Sequence, residues 1–369
     1  VKKAQSEGTG WKKTKTACLL HNMAFQGRFP YDPAAAARLG LSKDMIDQMK
    51  ITQPLKVGNQ YVATKGLKGK EVIANPPMEI LNFLAGSVKS ADTVLTVSPG
   101  YARESAFDAA KGCEMGPLLQ KKGIKGILNG VEDIVSPSNE DLGLDVMFDA
   151  STLDKKSEGK VAMQKALGFA SNPSIPMFVF MGRLDAQKGV DIMFEAIDKA
   201  LAGGINAQFV TMGSGIEELE EVAAELEEKY PGSFKAVLSF KGTEKYKTYA
   251  AADFALMPSR YEPCGLVQME GMRFGTLPIV APTGGLADTV KDMQTGLVME
   301  SEMDPDGVVP KDVEMIQSNI QRAVQLYGNK PAFNSIQQQA MGAAKTYSWT
   351  NAAKQYVSHF LEIGSPVSA

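Results

Sequence analysis

Two carboxylates, Glu262 and Glu270, stand with seven residues between them in the stretch "SRYEPCGLVQME", Ser259 to Glu270. The apolar run Phe254–Pro258 precedes them and an amphipathic segment follows. That order puts Glu262 in a loop at the carboxyl end of a strand and Glu270 in the next helix. Such a pair can hold the two ends of one ligand. The plain alternative is a loop carboxylate in a local salt bridge and an exposed helical carboxylate. Cys264, between them, has no histidine nearby in sequence to activate it, so it reads as a small pocket-wall residue rather than a nucleophile.

Cations are the second candidate. Arg183 and Lys188 flank the loop "GRLDAQKG", with glycine at both ends. The guanidinium is a planar fork of donors and the ammonium a point charge, which together suit a phosphate. A solvated surface loop carrying charges is the other reading. Gly213-Ser214-Gly215 and Thr283-Gly284-Gly285 each precede a helical pattern. Small residues there let a phosphate approach backbone N–H groups, although glycine is also common at turns. His21 sits just past a strand and before Asn22; a lone histidine is more often structural than catalytic, but a strand-end position improves its case. The other histidine, His359, falls in the C-terminal helical pattern and reads as ordinary. The 19 methionines read as core filler.

These residues need a scaffold, and the second half of the chain spells one out. Short apolar runs at Met177–Met181, Gln208–Met212, Ala236–Phe240, Phe254–Pro258 and Leu277–Ala281 predict strands. Helical patterns lie between them, at Met193–Leu201, from Ile216 to near Tyr230, around Tyr246–Ala251 and from Gly265 to Phe274. Strand–helix alternation of this kind predicts βαβ units and a parallel sheet. Ligands then sit outside the carboxyl ends of the strands, where Glu262, Arg183 and Lys188 fall. The first half repeats the theme less regularly, with strands at Thr16–Leu20, Thr93–Val97 and Gly126–Leu128. A polar stretch from Glu132 to Glu158 separates the halves, and the last segment, Asn334 to Ile363, reads as helical. We expect an N-terminal domain over 1–160, a C-terminal Rossmann-like domain over 161–345, and a terminal helix over 346–369 that packs back toward the first.

Composition narrows the classes. The chain has 369 residues, a net charge of −3 and 44% hydrophobic content. Nothing in that balance argues for nucleic acid or an anionic membrane as partner. No apolar run approaches the ~20 residues of a membrane-spanning helix. Three cysteines without CxxC spacing indicate neither a zinc site nor a disulfide framework.

Several segments together resemble the ADP-glucose-dependent starch and bacterial glycogen synthases. "HNMAFQGRF" (His21–Phe29) is similar to the family's HN-x-A-[YF]-QG-x-F segment, and "TVSPGYARE" (Thr96–Glu104) to its TVSP-x-YA-x-E segment. "GILNGVE" (Gly126–Glu132), "GRLDAQKG", "PSRYEPCGL" and "GTLPIVAPTGGLADTV" resemble further signatures in the same order. The likeness is nearest to granule-bound and soluble starch synthases and covers almost the whole chain. It implies an α/β fold of two facing Rossmann-like domains, the GT-B type, and glucose transfer from ADP-glucose to the non-reducing end of an α-1,4-glucan with retention. It implies no cofactor and no metal.

Residue by residue, the resemblance puts Arg183 and Lys188 on the donor diphosphate and Glu262 beside the glucosyl ring. Cys264, Gly265 and Leu266 would present backbone groups to the sugar, and Asn129 would contact it. His21 would line the reacting centre. Gly213, Thr283 and Gly284 would meet phosphate, and Phe240 would pack on the base. Three departures stand out. No Lys-x-Gly-Gly-Leu loop precedes His21, which implies an incomplete N-terminal domain. "VEDIVSPSNED" lacks the usual Trp-Asn-Pro. Glu270 replaces a His or Tyr and recreates the Glu-x7-Glu pattern of related retaining enzymes, where the second Glu meets the ribose. A UDP-glucose donor and a non-catalytic glucan-binding role are therefore the alternatives. A plant or algal source would imply a plastid, and any other source the cytoplasm.

Overall fold

The computed structural model of the protein describes residues 14–53, 56–57, 60–61, 78–239 and 242–364. The chain divides into two units, one of Val1–Ile127 with Lys354–Ala369, the other of Leu128–Ala353.

In the first unit β1 (Ala17–Leu20), β7 (Thr93–Thr96) and β8 (Lys125–Gly126) form a parallel sheet in the order β1-β7-β8. An antiparallel sheet has the order β2-β6-β3, from Arg28–Pro30, Met78–Asn82 and Lys50–Gln53, and β4 (Lys56–Val57) pairs with β5 (Gln60–Tyr61). Helix α1 (Phe83–Ser90) starts where the Asn82 side chain accepts the Ala85 N–H at 2.8 Å. Helix α2 (Pro99–Phe107) starts the same way, on Ser98. Helix α3 is Gly116–Lys122. Tyr101, fully buried on α2, reaches back to accept the Met23 N–H at 2.8 Å. That bond joins the "HNMAFQGRF" and "TVSPGYARE" segments.

The second unit is one six-stranded, all-parallel sheet in the order β11-β10-β9-β12-β13-β14. The strands are β9 (Met177–Met181), β10 (Gln208–Met212), β11 (Phe234–Val237), β12 (Phe254–Met257), β13 (Leu277–Val280) and β14 (Leu297–Val298). Every residue of β9, β10, β12 and β13 is buried, as burial on both faces requires. Phe178 stacks on Phe209 and on Phe254, with ring centroids 5.0 and 5.1 Å away, and ties three neighbouring strands together. The helices are α4 (Lys156–Ala166), α5 (Val190–Ala202), α6 (Glu217–Lys229), α7 (Glu244–Ala251), α8 (Val267–Arg273), α9 (Gly284–Thr289), α10 (Pro310–Gly328) and α11 (Lys330–Ala344); α12 (Trp349–Gly364) begins in this unit, and from Lys354 on it belongs to the first. Among the described residues no helix is long and apolar enough to cross a membrane.

Two expected elements shift. The strand expected at Ala236–Phe240 starts earlier, at Phe234, because Phe234 is buried and pairs in register with Phe209. The single C-terminal helix is two, α11 and α12. Ser348 breaks the run by capping the second, its hydroxyl accepting the Asn351 N–H at 3.2 Å.

Helix α4 turns a polar stripe inward. Lys156, Lys160 and Gln164, one turn apart, are all buried. Lys160 Nζ lies 2.5 Å from Asp253 Oδ2 and also donates to Tyr327 and to Pro173 O. Asp253 in turn accepts the Met177 N–H at the start of β9. Removing one partner of such a pair strands a buried charge, at a cost of about 3–5 kcal/mol.

Candidate active site

Strand order reverses between β9 and β12. From β9 the chain builds outward to β10 and β11; from β12 it builds the other way, to β13 and β14. The loops leaving two such strands diverge and open a crevice at their carboxyl ends. Loop 182–189 leaves β9 and loop 258–266 leaves β12.

The two loops meet through one ion pair. Lys188 Nζ lies 2.5 Å from Glu262 Oε2, and the Ser259 hydroxyl stands 3.5 Å from the same oxygen. The Glu262 side chain is 6% exposed and that of Lys188 22%. Gly189 makes the approach feasible. Its φ is +67°, and a Cβ there would lie 2.0 Å from Pro258 O. Below the pair, Arg260 is buried and anchors the β12 loop. Its guanidinium takes both Asp191 oxygens, at 2.7 and 2.9 Å, and the carbonyls of Ala186, Asp304 and Gly307. The sequence reading assigned Arg260 no role. Only its place beside Glu262 could have drawn attention to it.

Arg183 stands apart from that pair. Its side chain is 59% exposed and rests on Asp185 and Gln187. Gln187 also donates to Tyr261 O, so Arg183 shares the rim of the same loops.

Glu270 belongs to a different cluster. On α8 it receives Lys245 Nζ on both oxygens, at 3.0 and 3.2 Å, and the Tyr249 hydroxyl at 3.2 Å. Burial works against the charge on Lys245, but the Glu270 carboxylate prevails and raises that ammonium above its usual range. Burial together with Glu270 drives the Tyr249 phenol well above its own. The two carboxylates of the opening stretch therefore have separate cationic partners.

The remaining candidates are mostly backbone. Cys264 is buried, and its thiol is pushed up to about 12, first by burial and then by Glu262 and Asp288, against a backbone hydrogen bond from Asn129. A thiol held there stays protonated at neutral pH. Gly265 has a φ of +71°, and Gly285 packs so closely that a Cβ would lie 2.2 Å from Cys264 O. Leu266 is 42% exposed at the start of α8. Thr283 is buried at the N-cap of α9, with Gly284 first in the helix. Gly213 has a packing reason of its own, since a Cβ there would lie 1.8 Å from Gly182 O. The nearby start of α6 is acidic, and Glu220 accepts the Gly215 N–H at 2.7 Å. Phe240 lies outside the described residues. His21 belongs to the first unit, exposed at the end of β1. Among the described residues, no three His, Cys, Asp or Glu side chains are placed to hold a metal.

Comparison with known proteins agrees with this architecture. The family description "Starch synthase catalytic domain" matches residues 1–121, and "Glycosyl transferases group 1" matches residues 167–326. Granule-bound starch synthase 1 of Arabidopsis thaliana is 35% identical over 362 residues, 97% of this chain and 55% of that protein. The Zea mays counterpart is 33% identical over 98% of this chain and 56% of its own length. The chain thus spans about half the length of the curated relatives it matches. Among solved structures, the catalytic domain of starch synthase IV from Arabidopsis thaliana, bound to ADP and acarbose, superposes with a TM-score of 0.79. It is 24% identical over 99% of this chain and 71% of that one. Sucrose-phosphate synthase from Thermosynechococcus elongatus gives 0.52 at 20% identity, over 75% of this chain and 59% of that one. The fold is that of a GT-B glycosyltransferase. Over nearly its whole length the chain is similar to the starch synthases.

Proposed function

We propose that the protein transfers glucose from ADP-glucose to the non-reducing end of an α-1,4-glucan, with retention of configuration. The observation that carries this reading is the Lys188–Glu262 pair at the reversal of strand order. It puts one cation and one buried carboxylate at the place where a nucleotide sugar would enter. Departure of the nucleoside diphosphate develops negative charge, which Lys188 and Arg183 neutralise. The glucosyl carbon gains oxocarbenium character, which the Glu262 carboxylate stabilises, by analogy with glycoside hydrolysis. Cys264, Gly265 and Leu266 wall the sugar, Asn129 contacts it, and Thr283 with Gly284 meets phosphate at the start of α9. No cofactor takes part in this scheme.

The relatives named above support the glucan acceptor, and the starch synthase IV structure carries ADP. Their chloroplast or amyloplast designation supports a plastid, at the granule or in the stroma. Glu270, held by Lys245 and Tyr249, motivates a second reading in which the donor is UDP-glucose and Glu270 meets the ribose. Radiolabelled transfer to maltooligosaccharide, with ADP-glucose and UDP-glucose side by side, separates the two. We expect ADP-glucose to win. Preference for UDP-glucose installs the second reading. Glucan binding with neither donor turned over sinks both and leaves a glucan-binding relative.

A further inference from the structure

The chain enters the second unit at Leu128 and leaves it at Ala353. The entering and leaving segments lie side by side: Val131 and Ser348 form a parallel bridge, and the Val131 N–H donates to Tyr347 O at 3.1 Å. Gly130 lets them touch, since a Cβ there would lie 2.0 Å from Trp349 N. One side chain fastens both. Arg273, the last residue of α8, donates through Nη1 to Glu132 O at 2.6 Å and Val135 O at 3.1 Å. Through Nη2 it donates to Val131 O at 3.2 Å and Tyr347 O at 3.3 Å. Four of the five guanidinium donors go to main-chain carbonyls, the buried Nε is left without a partner, and no carboxylate pairs with the group at ion-pair distance among the described contacts. An ammonium offers its three donors from a single nitrogen and lacks the planar fork that reaches these carbonyls from two. Tyr347 is pinned again from the far side, where its hydroxyl donates to Thr289 O at 3.0 Å.

Two residues before Val131, the Asn129 backbone lies close enough to the Cys264 sulfur to oppose the upward shift that burial imposes on its thiol. The helix that carries Arg273 follows directly on the Glu262–Leu266 loop. One helix therefore leads from the candidate sugar wall at its start to the clamp on the Asn129 segment at its end. We propose that Arg273 is a positioning residue for the donor site, fastening residues 131–135 so that Asn129 stays seated on Cys264. The link to donor binding rests on the function proposed above; the link between Arg273 and the Asn129–Cys264 contact does not.

The test uses Arg273→Met and the milder Arg273→Lys, with Asp253→Asn as a variant destabilised elsewhere in the same unit. Peptide-resolved alkylation reports how often Cys264 opens. We expect its rate to rise by about tenfold or more in Arg273→Met and by an intermediate factor in Arg273→Lys, beyond what Asp253→Asn causes at matched melting temperature. With the donor, kcat/KM should fall by about tenfold, mainly through KM, with ADP affinity within about twofold, because ADP lacks the glucosyl group. Unchanged Cys264 labelling in both Arg273 variants overturns the proposal. So does a rise that Asp253→Asn matches, which would make Arg273 a contributor to stability alone. Faster labelling without donor turnover in any form, the wild type included, upholds the clamp and rejects the proposed function instead.

Discussion

Under the proposed function, Lys188 has one ammonium to divide between Glu262, 2.5 Å away, and a donor diphosphate. That competition makes the pair testable without assuming its catalytic role. Replacing Glu262 with Gln keeps the shape and removes the charge. Transfer should fall by about 10²–10³-fold, the usual loss when one preorganised electrostatic partner of a transition state is removed. Titration calorimetry should at the same time show ADP binding more tightly than to the wild type, because Lys188 is released. Undiminished transfer would remove Glu262 from the mechanism, and unchanged ADP affinity would take Lys188 off the phosphates. Cys264 makes the opposite case. Its thiol, pushed up to about 12, leaves it a wall and not a nucleophile.

Helix α4 shows how an element can depend on buried charge. Lys156 Nζ donates to the carbonyls of Tyr249, Ala250 and Phe274 and to the Thr276 hydroxyl, joining the ends of α7 and α8. Burial pulls that ammonium down to about 7; Asp253 opposes the shift and Lys160 adds to it. The sign follows from proton counts. Between that value and the ordinary lysine range, the unfolded chain holds a proton that the folded chain has released, so stability rises with pH across that window. The benefit is lost as pH falls toward 7, and below it Lys156 adds no slope. Melting temperatures from pH 7 to 9 should therefore climb more in the wild type than in Lys156→Met. Parallel curves would mean that Lys156 stays charged on its four acceptors throughout.

At the scale of the whole molecule, the two units differ in what they offer a ligand. The second holds the reversal of strand order, both loops of the ion pair and the clamp; the first holds His21 and the joined "HNMAFQGRF" and "TVSPGYARE" segments. Hydrogen exchange with and without ADP should slow at residues 182–190 and 258–268 and stay unchanged in β1 and β7. Protection confined to the first unit would place the nucleotide elsewhere and undo the donor assignment.

How much of this was legible in the sequence follows from the range of the forces involved. Continuous apolar runs announce strands buried on both faces, so β9, β10, β12 and β13 could be read almost to the residue. A strand end followed by glycine and charge announces a ligand loop, so Arg183, Lys188 and Glu262 could be singled out. Pairing is another matter. Lys188 meets Glu262 across 74 positions, Arg260 meets Asp191 across 69, and Arg273 reaches Glu132 across 141. No local pattern encodes such distances; only the strand order that brings the loops together does. The same holds for Lys156 and Lys160, which hydropathy puts in water and the fold puts in the core. A buried cation is allowed only where acceptors converge on it, and that convergence is a property of the tertiary structure.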